Sequence, residues 1–564
     1  MKRKELTKYL YKGNKLSYCF LTFASILETI FMMLISIMLE RLLAIATDGT
    51  LDQLKEQLYI VIGVFVGMSL TYLCLYFIKP KYKKKALHQF KSNAYNLILN
   101  KNIESFNAHE TSLYTSAFTN DINYISENYI FSTFTIITNI LLLISAIAVM
   151  ILYSPILTVV AIAFSFIPLI LALMVGSKLS SHEEKISNAN ASFMHYIKDN
   201  FIGYSTIKIF KAEKKMKELY QKNDYALEAT KEQKERTVIK IEFVQNATSL
   251  IAQVGVFLVG AYMAITSDKI NASTILLFVQ LMNYILSPIM VLPSLISKRR
   301  ACNPLFDKMC NLVTSDTSLE KEKLVFNNQI DIENLYFAYE ENKPILKGVN
   351  IKIEKNKSYA IVGQSGSGKS TFINLLLGRN LNYQGNIKFD GIDLINISID
   401  SLYEITSVIE QNVFVFDDSI LNNITMYESI DEDILKNIIV MSGLEKLVFE
   451  KGIEYKCGEN GCNLSGGEKQ RIAIARGLVK KAKLMFLDEI TSALDRETSN
   501  QIVSNILNLE NITKIMITHN LDQQILSRFD QILVFRNGQI IETGTFDQLI
   551  ELNGIFKSLY ELSE

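Results

Sequence analysis

GQSGSGKST, residues 363–371, decides how this chain is read. Glycines at 363, 366 and 368 let the backbone curl so that its N–H groups point at phosphate oxygens, followed at once by Lys369, Ser370 and Thr371. This is the G-x-x-x-x-G-K-[ST] pattern of nucleotide hydrolases. Gln364, Ser365, Gly366, Ser367 and Gly368 supply the curl, Lys369 a point charge for the outer phosphates, and Ser370 a hydroxyl for Mg²⁺. The preceding SYAIVG (358–363) reads as a buried strand and the following TFINLLLG (371–378) as a helix, the context the motif requires.

Upstream the chain is of a different kind. It has 564 residues, 58 basic and 58 acidic, with 49% hydrophobic residues. Zero net charge implies no strong nucleic-acid field. The apolar excess sits in the first 300 residues, where six stretches suit a bilayer crossing: 17–45, 57–78, 130–153, 156–177, 247–266 and 272–297. The connections after the first, third and fifth are short. Those after the second and fourth are long and charged, and read as helices continuing beyond the membrane edge. KPKYKKK (79–85) and SKRR (297–300) place Lys and Arg on one side, which the positive-inside rule makes cytoplasmic, with both termini inside. The apolar run behind the basic N-terminus is too long for a signal-peptide core. The six cysteines show no zinc spacing, and Cys457 and Cys462 read as ordinary reduced residues.

Several spans carry polar residues at helical spacing. Glu242, Gln245, Asn246, Ser249 and Gln253 share a face, as do Gln280, Asn283, Tyr284 and Ser287; the first span has Ser25, Glu28, Thr29 and Ser36. Two readings are open: a substrate pathway through Glu28, Gln245, Asn246, Gln253, Gln280 and Asn283, or interhelical hydrogen bonding alone. Pro288 and Pro293 are able to kink the sixth span.

From about residue 325 strands alternate with helices, the pattern of an α/β nucleotide-binding domain. KLMFLDE (483–489) is an apolar strand ending in Asp488, suited to Mg²⁺, with Glu489 placed to polarise an attacking water. LSGGEKQR (464–471) lies about a hundred residues after the glycine-rich loop and shortly before that strand. The combination is far more specific than either nucleotide motif alone.

With these motifs together, the chain resembles an exporter-type ABC transporter in which one membrane domain and one ATPase domain are fused, over essentially its whole length. The resemblance implies an all-α six-helix transmembrane domain at 1–310, a linker at 311–325 and an α/β P-loop ATPase domain at 326–564. It also implies roles. Tyr339 matches the aromatic that stacks on adenine, and Gln411 the loop glutamine at Mg²⁺. Ser465, Gly466 and Gly467 belong to the signature that closes on ATP held by a second subunit. Asp495 matches the loop crossing the dimer interface, His519 the γ-phosphate histidine, and Glu459 the acidic residue of a coupling loop. Short helices at the tips of the long connections are expected around 110–118 and 199–205, near Gln411. Glu468 stands where exporters often carry Gln, and Asn460 where Arg is frequent; neither change removes a catalytic group. The implied ligands are ATP and Mg²⁺. The implied partner is a second half-transporter, with a homodimer favoured, in a bilayer and without nucleic acid. The leading expectation is export of a peptide or amphipathic small molecule across a bacterial plasma membrane. Lipid flipping, or import of a siderophore-like ligand, is the alternative. A peptidase domain ahead of the first span is not expected.

Overall fold

The computed structural model describes residues 3–266, 270–314, 321–340, 343–491 and 493–562. Side chains at 169, 171–181, 183, 184, 187, 188 and 191 lie outside the description, as do residues 267–269 of the fifth–sixth connection and 315–320 of the expected linker. Two compact units result: Met1–Lys101 with His109–Ser315, and Asn102–Ala108 with Asp316–Glu564.

The first unit is helical. Its long helices are Lys15–Asp48, Leu51–Leu99, Thr111–Tyr153, Pro155–Ile202, Glu213–Thr266 and Ala272–Val313. Among the described residues five of these are long and apolar enough to cross a membrane; Pro155–Ile202 contributes the apolar stretch Pro155–Pro168. Helices suit this environment because every backbone polar group is satisfied within the segment. The boundaries follow local chemistry. Thr50 and Gln53 form a reciprocal cap at the second helix, and Ser154, in extended conformation, caps a helix that opens on Pro155. Ala272–Val313 runs through Pro288, Pro293 and Pro304 without interruption.

Hydroxyls inside these helices fold back on the chain. Thr29 donates to the Ser25 carbonyl at 2.9 Å, Thr71 to Gly67 at 2.9 Å, Thr158 to Ser154 at 2.7 Å and Ser165 to Ala161 at 2.8 Å. Such bonds let a hydroxyl sit in an apolar span without a partner helix. The apolar core gathers Phe278, Leu281, Met282 and Ile285 against Ala146, Met150, Ala161 and Val256.

The reversals of the long connections fall somewhat off the expected places. The first is at 100–110, with a short helix Ile103–Asn107, ahead of the expected 110–118; Thr111–Ser116 already belongs to the next rising helix. The cause is Asn102, whose side chain accepts the Ser105 N–H at 2.9 Å and starts a new helix after the Asn100 stop. The second reversal carries Tyr204–Ile209, centred slightly beyond the expected 199–205, because Gly203 ends the preceding helix.

The second unit holds ten strands: β1 Gln329–Ala338, β2 Pro344–Glu354, β3 Ser358–Gly363, β4 Gln384–Phe389, β5 Ile392–Asp393, β6 Thr406–Ile409, β7 Leu484–Asp488, β8 Thr513–Ile517, β9 Gln531–Arg536 and β10 Gln539–Gly544. An antiparallel sheet has the order β2-β1-β4-β5, and a second sheet the order β10-β9-β3-β8-β7-β6. In the second sheet β6, β7, β8, β3 and β9 run parallel and β10 is antiparallel. The central strands are continuous apolar runs, as expected of strands covered on both faces. Between the sheets, Phe326, Phe337, Ile361, Phe372, Phe389, Phe486 and Phe535 form one core. Phe389→Ala should therefore cost about 3–5 kcal/mol, read as a lower midpoint for unfolding of this unit. An unchanged midpoint would show that the aromatic contact with Phe326 carries none of the packing.

Candidate nucleotide site

The carboxyl ends of β6, β7, β8 and β3 are neighbours, and each delivers a polar residue to the same edge. Ile409 pairs with Leu487, Asp488 with Ile517, and Ile361 with Ile517, so the chain leaves all four strands at one level. Gln411 follows β6, Glu489 follows β7, His519 follows β8 and the glycine-rich loop follows β3. Ligands of open α/β sheets bind at such an edge.

The loop itself needs its glycines. Gly363 has φ +148° and pairs with Phe535; a Cβ there would lie 2.2 Å from the Phe535 carbonyl oxygen. Gly368, at φ +104°, precedes the helix Lys369–Leu376, and a Cβ would sit 2.9 Å from Leu346 Cδ2. The N-terminus of that helix offers backbone N–H groups and a positive dipole end to an anion. Ser367 Oγ, in the same loop, is buried without a hydrogen-bond partner. Lys369 is almost fully buried, and its ammonium donates to the carbonyls of Gly363 at 2.8 Å and Gln364 at 2.9 Å. Burial pulls its pKa down, against the upward pull of Glu489 and Asp488. Tyr339 is exposed just beyond β1, edge-on to Phe337 at 4.8 Å. Phe337 pairs with Leu346, the residue against Gly368, so Tyr339 stands near the loop.

Two carboxylates of different character follow β7. Burial raises the pKa of Asp488; the Ser370 hydroxyl, 3.5 Å from Oδ1, opposes that rise. Glu489 is held from two sides: His519 Nε2 lies 2.8 Å from Oε1, and Gln411 Nε2 donates to Oε2 at 2.6 Å. Its backbone is in the left-handed region, φ +49°, which costs a non-glycine residue about 1–3 kcal/mol. The main chain there is tied down at both ends. Glu489 N–H donates to Ile517 O at 3.1 Å, and Glu489 O accepts from Gln470 Nε2 at 3.3 Å.

Gln470 is the residue that sequence reading passed over. It is buried on the helix Gly466–Val479 and also accepts the Ala493 N–H at 3.1 Å, joining the LSGG helix to Glu489 and Ala493. A lone polar residue on a buried helical face was the available signal. Ser465 caps this helix by accepting the Glu468 N–H at 3.2 Å. Gly466 and Gly467 pack on Ala493 and Leu494, too tightly for larger side chains at Gly467. Asp495 caps the helix Arg496–Leu507 through the Thr498 N–H at 2.9 Å. Glu489 and His519 also border a polar cleft of about 990 Å³ that reaches Thr491, Arg496 and Asp522. Glu459 is exposed on a turn whose Asn460 carbonyl accepts from Lys469 at 2.7 Å.

The polar faces of the membrane unit are joined in part. Gln253 Nε2 donates to Asn283 Oδ1 at 2.9 Å. Glu28 is half-buried. Gln245 and Gln280 are half-buried and Asn246 is exposed. Of the six predicted pathway residues, Gln253 and Asn283 are joined directly.

A phosphate-binding loop, a carboxylate pair at the neighbouring strand end and a bundle of membrane-length helices define a membrane-bound nucleotide hydrolase. Family comparison places residues 18–289 in the ABC transporter transmembrane region and residues 346–492 in the ABC transporter ATPase family. The chain belongs to the ABC transporters, as an exporter-type half-transporter whose ATP hydrolysis is coupled to transport. It is 28% identical over 531 residues to the ATP-dependent lipid A-core flippase of Haemophilus ducreyi, covering 90% of this chain and 88% of that one. Against the protein of the same description from Francisella tularensis subsp. holarctica it is 26% identical over 494 residues, 85% of this chain and 80% of the other. The fold matches a bacterial Atm1-family ABC exporter with ATP bound at a TM-score of 0.85 and 22% identity, over 98% and 99% of the two chains.

Gly363→Ala forces a methyl group onto the Phe535 carbonyl. ATP affinity should fall more than about tenfold, an energy of ~1.4 kcal/mol, in equilibrium binding to the purified chain. Wild-type affinity would mean the loop adapts at no cost.

Proposed function

We propose that the chain exports an amphipathic molecule from the inner face of a bacterial membrane, as a dimer with both termini cytoplasmic. In this reading Lys369 and the loop N–H groups at 363–371 bind the ATP phosphates, and Tyr339 stacks on adenine. The oxygens of Ser370, Asp488 and Gln411 are hard donors that suit Mg²⁺. That ion would neutralise phosphate charge when bound. Glu489 orients the attacking water and accepts its proton, while His519 and Gln411 hold the carboxylate in place. Ser465, Gly466, Gly467 and Asp495 serve the nucleotide of a second copy, which makes two equivalent sites in a homodimer.

The observation that carries this reading is the grip on Glu489: two side chains within 2.8 Å and a strained backbone fixed by hydrogen bonds. An arrangement that costs folding energy at one carboxylate suits hydrolysis rather than nucleotide binding alone. The names of the curated relatives favour a lipid as the amphipathic cargo, and helices of membrane length and apolar composition are compatible with such a cargo.

Glu489→Gln should retain ATP binding and lose turnover by about a hundredfold or more, within the range assigned to general-base catalysis. Steady-state phosphate release from protein in lipid nanodiscs measures this; near-normal release would remove Glu489 from the role. Lys369→Ala should weaken ATP binding itself, seen by titration with a fluorescent ATP analogue, and unaltered affinity would count against the phosphate role.

A further inference from the structure

Among the described residues Glu489 is the partner of the His519 ring: Nε2 lies 2.8 Å from Glu489 Oε1, and the histidine side chain is half exposed. With one bond and little packing, the ring stands where its backbone puts it. That backbone is the segment 518–522, which leaves β8. At its start Thr518 N–H donates to Ile361 O at 3.1 Å, which fixes it to β3. At its far end the next helix, Gln523–Leu526, has only four residues.

A ladder of polar residues at alternate positions holds the segment. Asn520 N–H donates to Thr518 Oγ1 at 3.0 Å, and that hydroxyl donates to Asn520 O at 3.3 Å. Asp522 N–H donates to Asn520 Oδ1 at 3.1 Å, and Asp522 Oδ1 accepts the Gln524 N–H at 2.9 Å. Local side-chain bonds of this kind fix a loop without regular structure.

The ladder ends on a different element. Asp522 Oδ2 accepts from Arg496 Nη2 at 2.9 Å, from Arg496 Nε at 3.3 Å and from Asn500 Nδ2 at 3.4 Å. Arg496 and Asn500 are one turn apart on the helix Arg496–Leu507 and share a face; Asp495 caps that helix. An exposed ion pair is worth little by itself. Here Arg496 is exposed, but the Asp522 side chain is only 9% exposed and its two oxygens take four donors. The Arg496 bond also draws the Asp522 carboxyl below its ordinary range. Arg496, Asn500, Asn520 and Asp522 line the cleft of about 990 Å³ that Glu489 and His519 border. On that side the segment faces open space, so the bonds carry the constraint.

We propose that Asp522 is a positioning residue for hydrolysis: by tying 518–522 to Arg496 and Asn500, it fixes His519 against Glu489 and makes the histidine's place depend on the helix that Asp495 caps. Asp522 acts through His519. The proposal rests on the hydrolytic roles given above to Glu489 and His519, and adds what holds one of them.

The test is steady-state phosphate release by the full chain in nanodiscs, with ATP affinity measured by titration of a fluorescent analogue. Asp522→Ala should lower kcat about tenfold, within the range of a displaced catalytic group, and leave ATP affinity unchanged. Arg496→Ala changes an exposed side chain and should lower kcat about threefold, the scale of one exposed ion pair. In a His519→Ala background neither substitution should cost further turnover, because residues that act as a unit are not additive. A purely structural contribution would instead multiply with the loss of the histidine. Wild-type kcat in Asp522→Ala, a loss confined to ATP affinity, or a full extra loss in the double variant overturns the proposal. If Asp522→Ala does not fold, Arg496→Ala run through the same cycle decides, and wild-type kcat in Arg496→Ala removes the dependence on the Asp495 helix. His519→Ala turning over at the wild-type rate would sink the hydrolytic reading of His519 itself. A slow His519→Ala beside a normal Asp522→Ala would sink the proposal and leave that reading standing.

Discussion

The parallel register of β6, β7, β8 and β3 is the constraint on which the rest of the nucleotide unit depends. Residues more than 150 positions apart reach one edge because their strands end level. A slip of one residue in any strand would turn its buried side chains to the opposite face and move its terminal polar group away. The continuous apolar runs KLMFL and KIMI resist that slip, since both faces of each strand are covered. Stability of the core and geometry of the site are therefore one property.

Within that edge the strain is local and compensated. Glu489 adopts a backbone conformation that glycine or asparagine would take more readily, yet its side chain is needed where it stands. Gln470, Ile517, Gln411 and His519 each contribute one bond to keep it there. Gln470 further links Glu489 to Ala493, beside the signature glycines. The buried Lys369 is similarly confined, folded over the carbonyls of its own loop.

The membrane unit obeys a simpler rule. Its backbone is satisfied by helix formation, and its scattered hydroxyls bond to carbonyls one turn back. Among the described residues, polar side chains that meet across helices include the Gln253–Asn283 pair and Glu40 with the hydroxyls of Ser273 and Tyr153.

The helical membrane half, the α/β half and the glycine-rich loop were legible from the sequence because each rests on local patterns: apolar runs of bilayer length, alternation of strand and helix, and a dense glycine spacing. The carboxylate pair was legible for the same reason, being the end of an apolar strand. Tertiary structure decided what depends on distant residues. It brought Gln411 and His519 onto the two oxygens of Glu489, put Gln470 under the same turn, and joined Gln253 to Asn283. It also placed the first reversal at Asn100–Asn102 instead of beyond Glu110, where capping by one asparagine outweighed a helical pattern that continued on paper. Periodicity reports which face a residue occupies; which residue of another element meets it is set by strand order, register and helix packing, and these emerge only when the whole chain is folded.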